Sequence, residues 1–233
     1  SEIEIYIGFY HEQSRLKIDN KQHISKDQRL HIATIKIENP RFPIPKAFAM
    51  FTTETMDLDG KMFENVWKKS MPVTLTDSRD NSQFLSLTQV RFAWNDSGIF
   101  LGWSAHDNDI RASYKKQDDP LYEEEAIEFF INSNGDTNDY TEFQCAPNEI
   151  RFDASFTSQR KGMSILHDSK FVCKVSAQGS VNDENDTDTL WSSEWFIPYQ
   201  GIKDFSQLPT NQTQWNINLF RIDGFMKDNA LKK

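Results

Sequence analysis

A chain of 233 residues can bury a substantial core, and its net charge of −9 argues against the basic footprint that a nucleic-acid partner demands. No apolar run approaches the roughly twenty residues needed to cross a bilayer, and the first residues do not read as a signal peptide. Eighteen Phe, six Trp and six Tyr, set in short alternating runs with few helix-length apolar stripes, predict an all-β protein.

Ile3, Ile5, Ile7 and Phe9 alternate with polar or small residues and read as a strand. A polar, basic stretch follows, and Ile32, Ala33, Ile35 and Ile37 resume a strand that stops at Asn39-Pro40. Prolines at 40, 43 and 45 exclude a central strand or a helix there. The expected boundary therefore separates residues 1–45, a β extension or the end of a preceding domain, from a main domain at 46–233.

In the main domain, Asp57 to Lys61 is a turn, and Phe63, Val66 and Trp67 fall at helical spacing, with Trp67 expected to plug one end of a sandwich. Val90, Phe92 and Trp94 alternate, Asn95-Asp96-Ser97-Gly98 turns the chain, and Ile99, Leu101, Trp103 and Ala105 alternate back. This is the clearest hairpin in the sequence.

An acidic lead-in, Asp118 to Glu125, precedes a strand in which Ile127, Phe129 and Ile131 oppose Ala126, Glu128 and Phe130. A loop of side-chain oxygens around Gly135 follows. The next strand turns Phe143 and Cys145 inward and leaves Tyr140, Glu142, Gln144 and Ala146 on the other side. Glu128, Glu142 and Gln144 thus share one sheet face, as solvated surface or as a polar recognition surface. Further strands are expected at 150–156, 171–177, 191–197 and 215–222, about ten in all, the spacing of a β-sandwich or jelly roll with a few short helices. Cys145 and Cys173 both point inward, as buried free thiols or, if their strands prove adjacent, as a disulfide; their spacing suggests no metal.

Five blocks in this order resemble the family 9 carbohydrate-binding modules, antiparallel β-sandwiches of the DOMON-like superfamily. They are DLDGKMFENVW from Asp57, QVRFAWNDSGIFLGWSAHD from Gln89, DDPLYEEEAIEFFIN with GDTNDYTEF, EWFIPYQGI from Glu194 and WNINLFRID from Trp215. The resemblance implies non-catalytic binding of a sugar or polysaccharide end, as an accessory to other domains of a larger glycoside-active protein or on a cell surface. It implies an extracellular, cell-surface or periplasmic location.

In such modules aromatic rings sandwich a sugar and polar side chains on adjoining strands bond its hydroxyls. By position, Tyr122 stands for the first sandwich Trp and Glu128 for a hydroxyl-binding Glu, while Gln144 replaces an Arg and Ala146 an Asn. Glu142 joins this set from the shared face, and Trp103, Tyr114 or Trp191 could supply a second ring. The resemblance also implies structural calcium, for which Asn134, Asp136, Asn138 and Asp139 are the expected ligands, because closely spaced oxygens at a glycine turn suit a hard cation. Two alternatives stand beside this reading: a haem-binding electron-transfer sandwich, with His106, His167, Met50 and Met163 available, and a structural or adhesion module that has lost its ligand. No carboxylate pair is singled out for glycoside hydrolysis, so no enzyme is expected.

Overall fold

The computed structural model describes residues 45–77, 86–136, 138–165 and 167–223 in full, and six further strands outside them by their backbone alone. The chain divides into two compact units, Ser1–Lys46 and Ala47–Lys233. In the first, β1 (Glu2–Ile7) pairs antiparallel with β4 (Leu30–Lys36), and β2 (Tyr10–His11) pairs with β3 (Ser14–Arg15). Phe9, Ile37 and the segment 40–44 lie outside the described residues.

The second unit is an all-β sandwich. One sheet has four strands in the order β11 (Arg151–Phe156), β10 (Tyr140–Cys145), β9 (Ala126–Asn132) and β14 (Asn216–Ile222). The other runs β12 (Val172–Gln178), β13 (Leu190–Pro198), β8 (Gly98–His106), β7 (Thr88–Trp94) and β5 (Ala49–Phe51), and β6 (Val73–Thr74) also pairs with β7. All pairings are antiparallel except β5 with β7. A last hairpin, β15 (Phe225–Lys227) with β16 (Ala230–Lys232), ends the chain's described elements.

Between the sheets lies the core that period-two alternation dictates. Ile127, Phe129, Ile131 and Phe143 from one sheet meet Val90, Leu101, Trp103, Trp191 and Trp195 from the other, all buried. The outer face of the six-stranded sheet is covered by α1 (Asn65–Lys69), whose Val66 and Trp67 pack on Ala93 and Phe100. Trp67 is therefore a lid on a sheet face, not a plug at the sandwich end, and Phe63 lies outside the helix and is exposed. Glu194 fixes that lid: its carboxylate accepts the Trp67 indole N–H at 2.7 Å and the Gly60 N–H at 2.8 Å.

At one end the sheets are joined by Arg221 of β14. Its guanidinium donates to Thr88 Oγ1 at 3.2 Å, to the His106 carbonyl at 2.7 Å and to the Asp107 carboxylate, with Glu125 3.6 Å away. Burial beside Asp107 pushes the Glu125 carboxyl up to about 9, so it holds its proton at neutral pH.

Candidate functional site

The outward face of the four-stranded sheet is ordered in rows that cross its strands. Phe152, Gln144, Glu128 and Phe220 form one row, and Ala154, Glu142, Phe130 and Asn218 the next. A groove of ≈ 910 Å³ lies on this face, lined among the described residues by Tyr122, Phe130, Tyr140, Phe156 and Phe220, with Glu142, Arg160 and Asn218 as polar groups. Two of its rings are well exposed, Tyr122 at 46% and Phe220 at 39%. Tyr122 stands edge-on to Phe152 with centroids 6.0 Å apart, and Phe220 edge-on to Phe130 at 5.7 Å. Phe152 and Phe220 occupy the two ends of one row, three strand spacings or about 14 Å apart along the sheet.

Tyr122 is held by the acidic lead-in itself. It sits in a 3₁₀ turn, Leu121–Glu123, anchored by the buried Leu121. The three glutamates that follow tie this turn to the segment after β8: Tyr114 Oη donates to Glu123 at 2.9 Å, the Ser113 N–H to Glu124 at 2.8 Å, and the Arg111 N–H to Glu125 at 2.9 Å. That segment is held in turn by Asp188, which accepts the Ile110 N–H at 2.7 Å, and by Asn182, whose side chain bonds both the N–H and the carbonyl of Ala112. Ala112 and Leu121 pack with Phe152, Ala154 and Phe156 into a second apolar cluster on this face.

This covering layer makes the polar groups of the sheet face anything but solvated surface. Glu142 is 8% exposed, Glu128 7% and Gln144 fully buried. Gln144 Nε2 donates to Glu142 Oε1, while Gln144 Oε1 has no partner among the described residues. Burial, and then the like charge of Glu142, pushes the Glu128 carboxyl up to about 7. Burial also raises Glu142, against the lowering effect of the Gln144 hydrogen bond.

The structure brings Tyr122, Glu128, Glu142 and Gln144 onto one face, but their roles separate. Tyr122 and Glu142 line the groove, Glu128 is not among its lining residues, and Gln144, being fully buried, donates to Glu142 from beneath. Trp103 does not belong: it is fully buried in the core on the other sheet, 5.7 Å from the Trp195 ring. Trp191 is buried in the same core, and Tyr114 packs into the second cluster.

The rings that do line the groove, Phe130, Tyr140 and Phe220, carried a sequence signal, since each alternates in phase with a polar residue of the recognition face. Of the side chains considered for haem, His106 ends β8, Met50 lies on β5, Met163 lines the groove, and His167 Nε2 lies 2.7 Å from the Gly201 carbonyl oxygen.

The oxygen-rich loop after β9 borders the groove through Asn132 and Asp139. Its oxygens converge on one point. Asn134 Oδ1, Asp136 Oδ1, the Asp139 carbonyl and Asp139 Oδ1 all lie within 2.8–3.2 Å of Asn132 Nδ2. Asn138 does not join them with its side chain; its N–H donates to Asp136. Among the described residues no three His, Cys, Asp or Glu side chains gather as a metal-binding group. The loop's set is instead two carboxylates, an amide and a main-chain carbonyl, all hard oxygen donors that fit calcium.

The sequence profile of carbohydrate-binding family 9 matches residues 63–220. The chain belongs to this family. A candidate carbohydrate-binding protein of Bacteroides uniformis shares the fold with TM-score 0.57 and 15% identity, over 78% of this chain and 84% of that one. A family 9 module of Caldicellulosiruptor kristjanssonii in complex with cellotriose superposes with TM-score 0.51 and 14% identity, over 76% of this chain and 77% of that one. The same organism's module in complex with glucose gives 0.50 and 14%, over 74% and 76%. No curated protein matches the chain. Among the described residues no helix is long and apolar enough to cross a membrane.

Proposed function

We propose that the groove on the four-stranded sheet binds carbohydrate without cleaving it. The observation that carries this reading is the lining of one groove by two exposed rings, Tyr122 and Phe220, together with the buried Glu142 carboxyl and the Asn218 amide. Sugar rings pack their C–H faces on aromatic rings and offer hydroxyls to carboxylates and amides. Membership of a non-catalytic family supports a binding role over hydrolysis, service beside other domains of a glycoside-active protein, and a location outside the cytoplasm.

Isothermal titration of glucose, cellobiose and xylobiose tests the reading. Millimolar or tighter binding is expected, weakened at least about tenfold by Tyr122→Ala and by Phe220→Ala. Absence of heat with all three sugars, or full binding by both variants, refutes it.

The same reading assigns calcium to the loop of Asn134, Asp136 and Asp139, where the bound ion would cross-link the β9–β10 turn at the groove's border. Added calcium should raise the melting temperature of the wild-type protein, and Asp136→Ala should abolish the rise.

A further inference from the structure

Cys145 ends β10, on the core side of the four-stranded sheet, and Cys173 lies in β12, at the edge of the other sheet. Sandwich layers ordinarily stand about 10 Å apart, too far for two cysteine side chains to meet without local convergence. At this edge they do converge. The turn after β10 reaches β12 through Glu149, which accepts the Val175 N–H at 3.2 Å and the Lys174 ammonium at 2.8 Å. Arg151 at the start of β11 donates to the carbonyl of Phe171, just before β12. Between these ties the two sulfurs stand 2.6 Å apart, both buried.

We propose that Cys145 and Cys173 form a cross-sheet disulfide. Its formation is a two-electron oxidation by thiol–disulfide exchange. A thiolate of the pair attacks a sulfur of a disulfide-bearing oxidant and expels one oxidant thiol. The second cysteine then attacks the mixed disulfide and expels the other. Two protein thiols and one oxidant disulfide thus become one protein disulfide and two oxidant thiols. Burial raises the Cys173 thiol well above its ordinary range and hides it from solvent, so exchange in the closed fold is slow. The bond therefore forms as the sheets close, in a compartment that supplies such an oxidant.

The test refolds the full chain in a buffer of reduced and oxidised glutathione, then alkylates it in denaturant without reductant and measures its mass. The expected result is no alkylated cysteine and, after trypsin, one peptide pair linked through Cys145 and Cys173. Two alkylated cysteines overturn the proposal, as does glutathione retained on either. A second readout does not depend on trapping. Reductant should lower the unfolding midpoint of the oxidised wild type by roughly 5–15 °C, and leave the Cys145→Ala/Cys173→Ala double variant unchanged. An equal response from both proteins overturns the proposal.

Discussion

Glu128→Gln separates what this side chain costs the fold from what it offers a ligand. The glutamate is 7% exposed, in a row between Gln144 and Phe220, and its carboxyl is pushed from 4.5 to about 7, first by burial and then by Glu142. A group protonated more strongly when folded stabilises the native state least where it must ionise. Stability is therefore greatest below 4.5, falls as pH rises through the window from 4.5 to about 7, and levels off above it. That interval amounts to about 3 kcal/mol at pH 8, and to less than about 1 kcal/mol at pH 5. Glutamine keeps the shape and carries no charge. The variant should melt roughly 6–12 °C above wild type at pH 8, but only roughly 2–4 °C above it at pH 5. Glu125 and Glu194 also have raised carboxyls, about 9 and about 7, yet both proteins contain them, so the difference reports position 128 together with its effect on Glu142. Differential scanning calorimetry at the two pH values decides the matter. A melting difference that does not grow with pH, or a variant less stable than wild type at pH 8, refutes the reasoning.

Trp67→Phe keeps the ring of the helical lid but removes the indole donor 2.7 Å from Glu194, leaving a buried carboxylate oxygen short of its partner. Urea unfolding should show a loss of about 1–3 kcal/mol with the m-value unchanged. Arg221→Met removes the cation that faces Asp107 and Glu125 across the sandwich end, where all three side chains are buried. The expected loss is about 3–5 kcal/mol by urea unfolding, larger than for Trp67→Phe because two carboxyl groups are stranded together.

The sandwich was legible because its signal has period two. Ile127, Phe129 and Ile131 could face only one way, and the same phase fixed Glu128, Glu142 and Gln144 on the other face. Their burial was not legible. It depends on a covering layer whose apolar residues, Ala112 and Leu121, lie in segments without periodicity, and on glutamates 123–125 acting as hydrogen-bond acceptors for residues 111–114. Trp103 illustrates the opposite failure. The alternation that placed Ile99 and Leu101 inward places Trp103 there too, so its own strand excluded it from a surface site. Phe130 and Phe220 could have been chosen in its place, since an aromatic in the polar phase of a strand is either a liability or a binding surface. No sequence signal brought Cys145 to Cys173; that contact arises where a turn and an edge strand converge.

The buried carboxylates of the sandwich divide by what they hold. Asp188 accepts the main-chain N–H groups of Ile110 and Ser180, Asp153 accepts that of Ser169, and Glu194 those of Asp59 and Gly60 as well as the Trp67 indole. Each such group repays its desolvation by fastening a loop or a lid. Among the described residues Glu142 is bonded only to the Gln144 amide, and Glu128 accepts no hydrogen bond at all. These two lie diagonally across adjacent strands on the same sheet face, with Phe130 in the row of Glu142 and Phe220 in that of Glu128. A carboxyl held near 7 by burial, with no loop to fasten, weakens the fold for no structural return. On the proposed binding role, a ligand's hydroxyls would supply the donors that the protein does not.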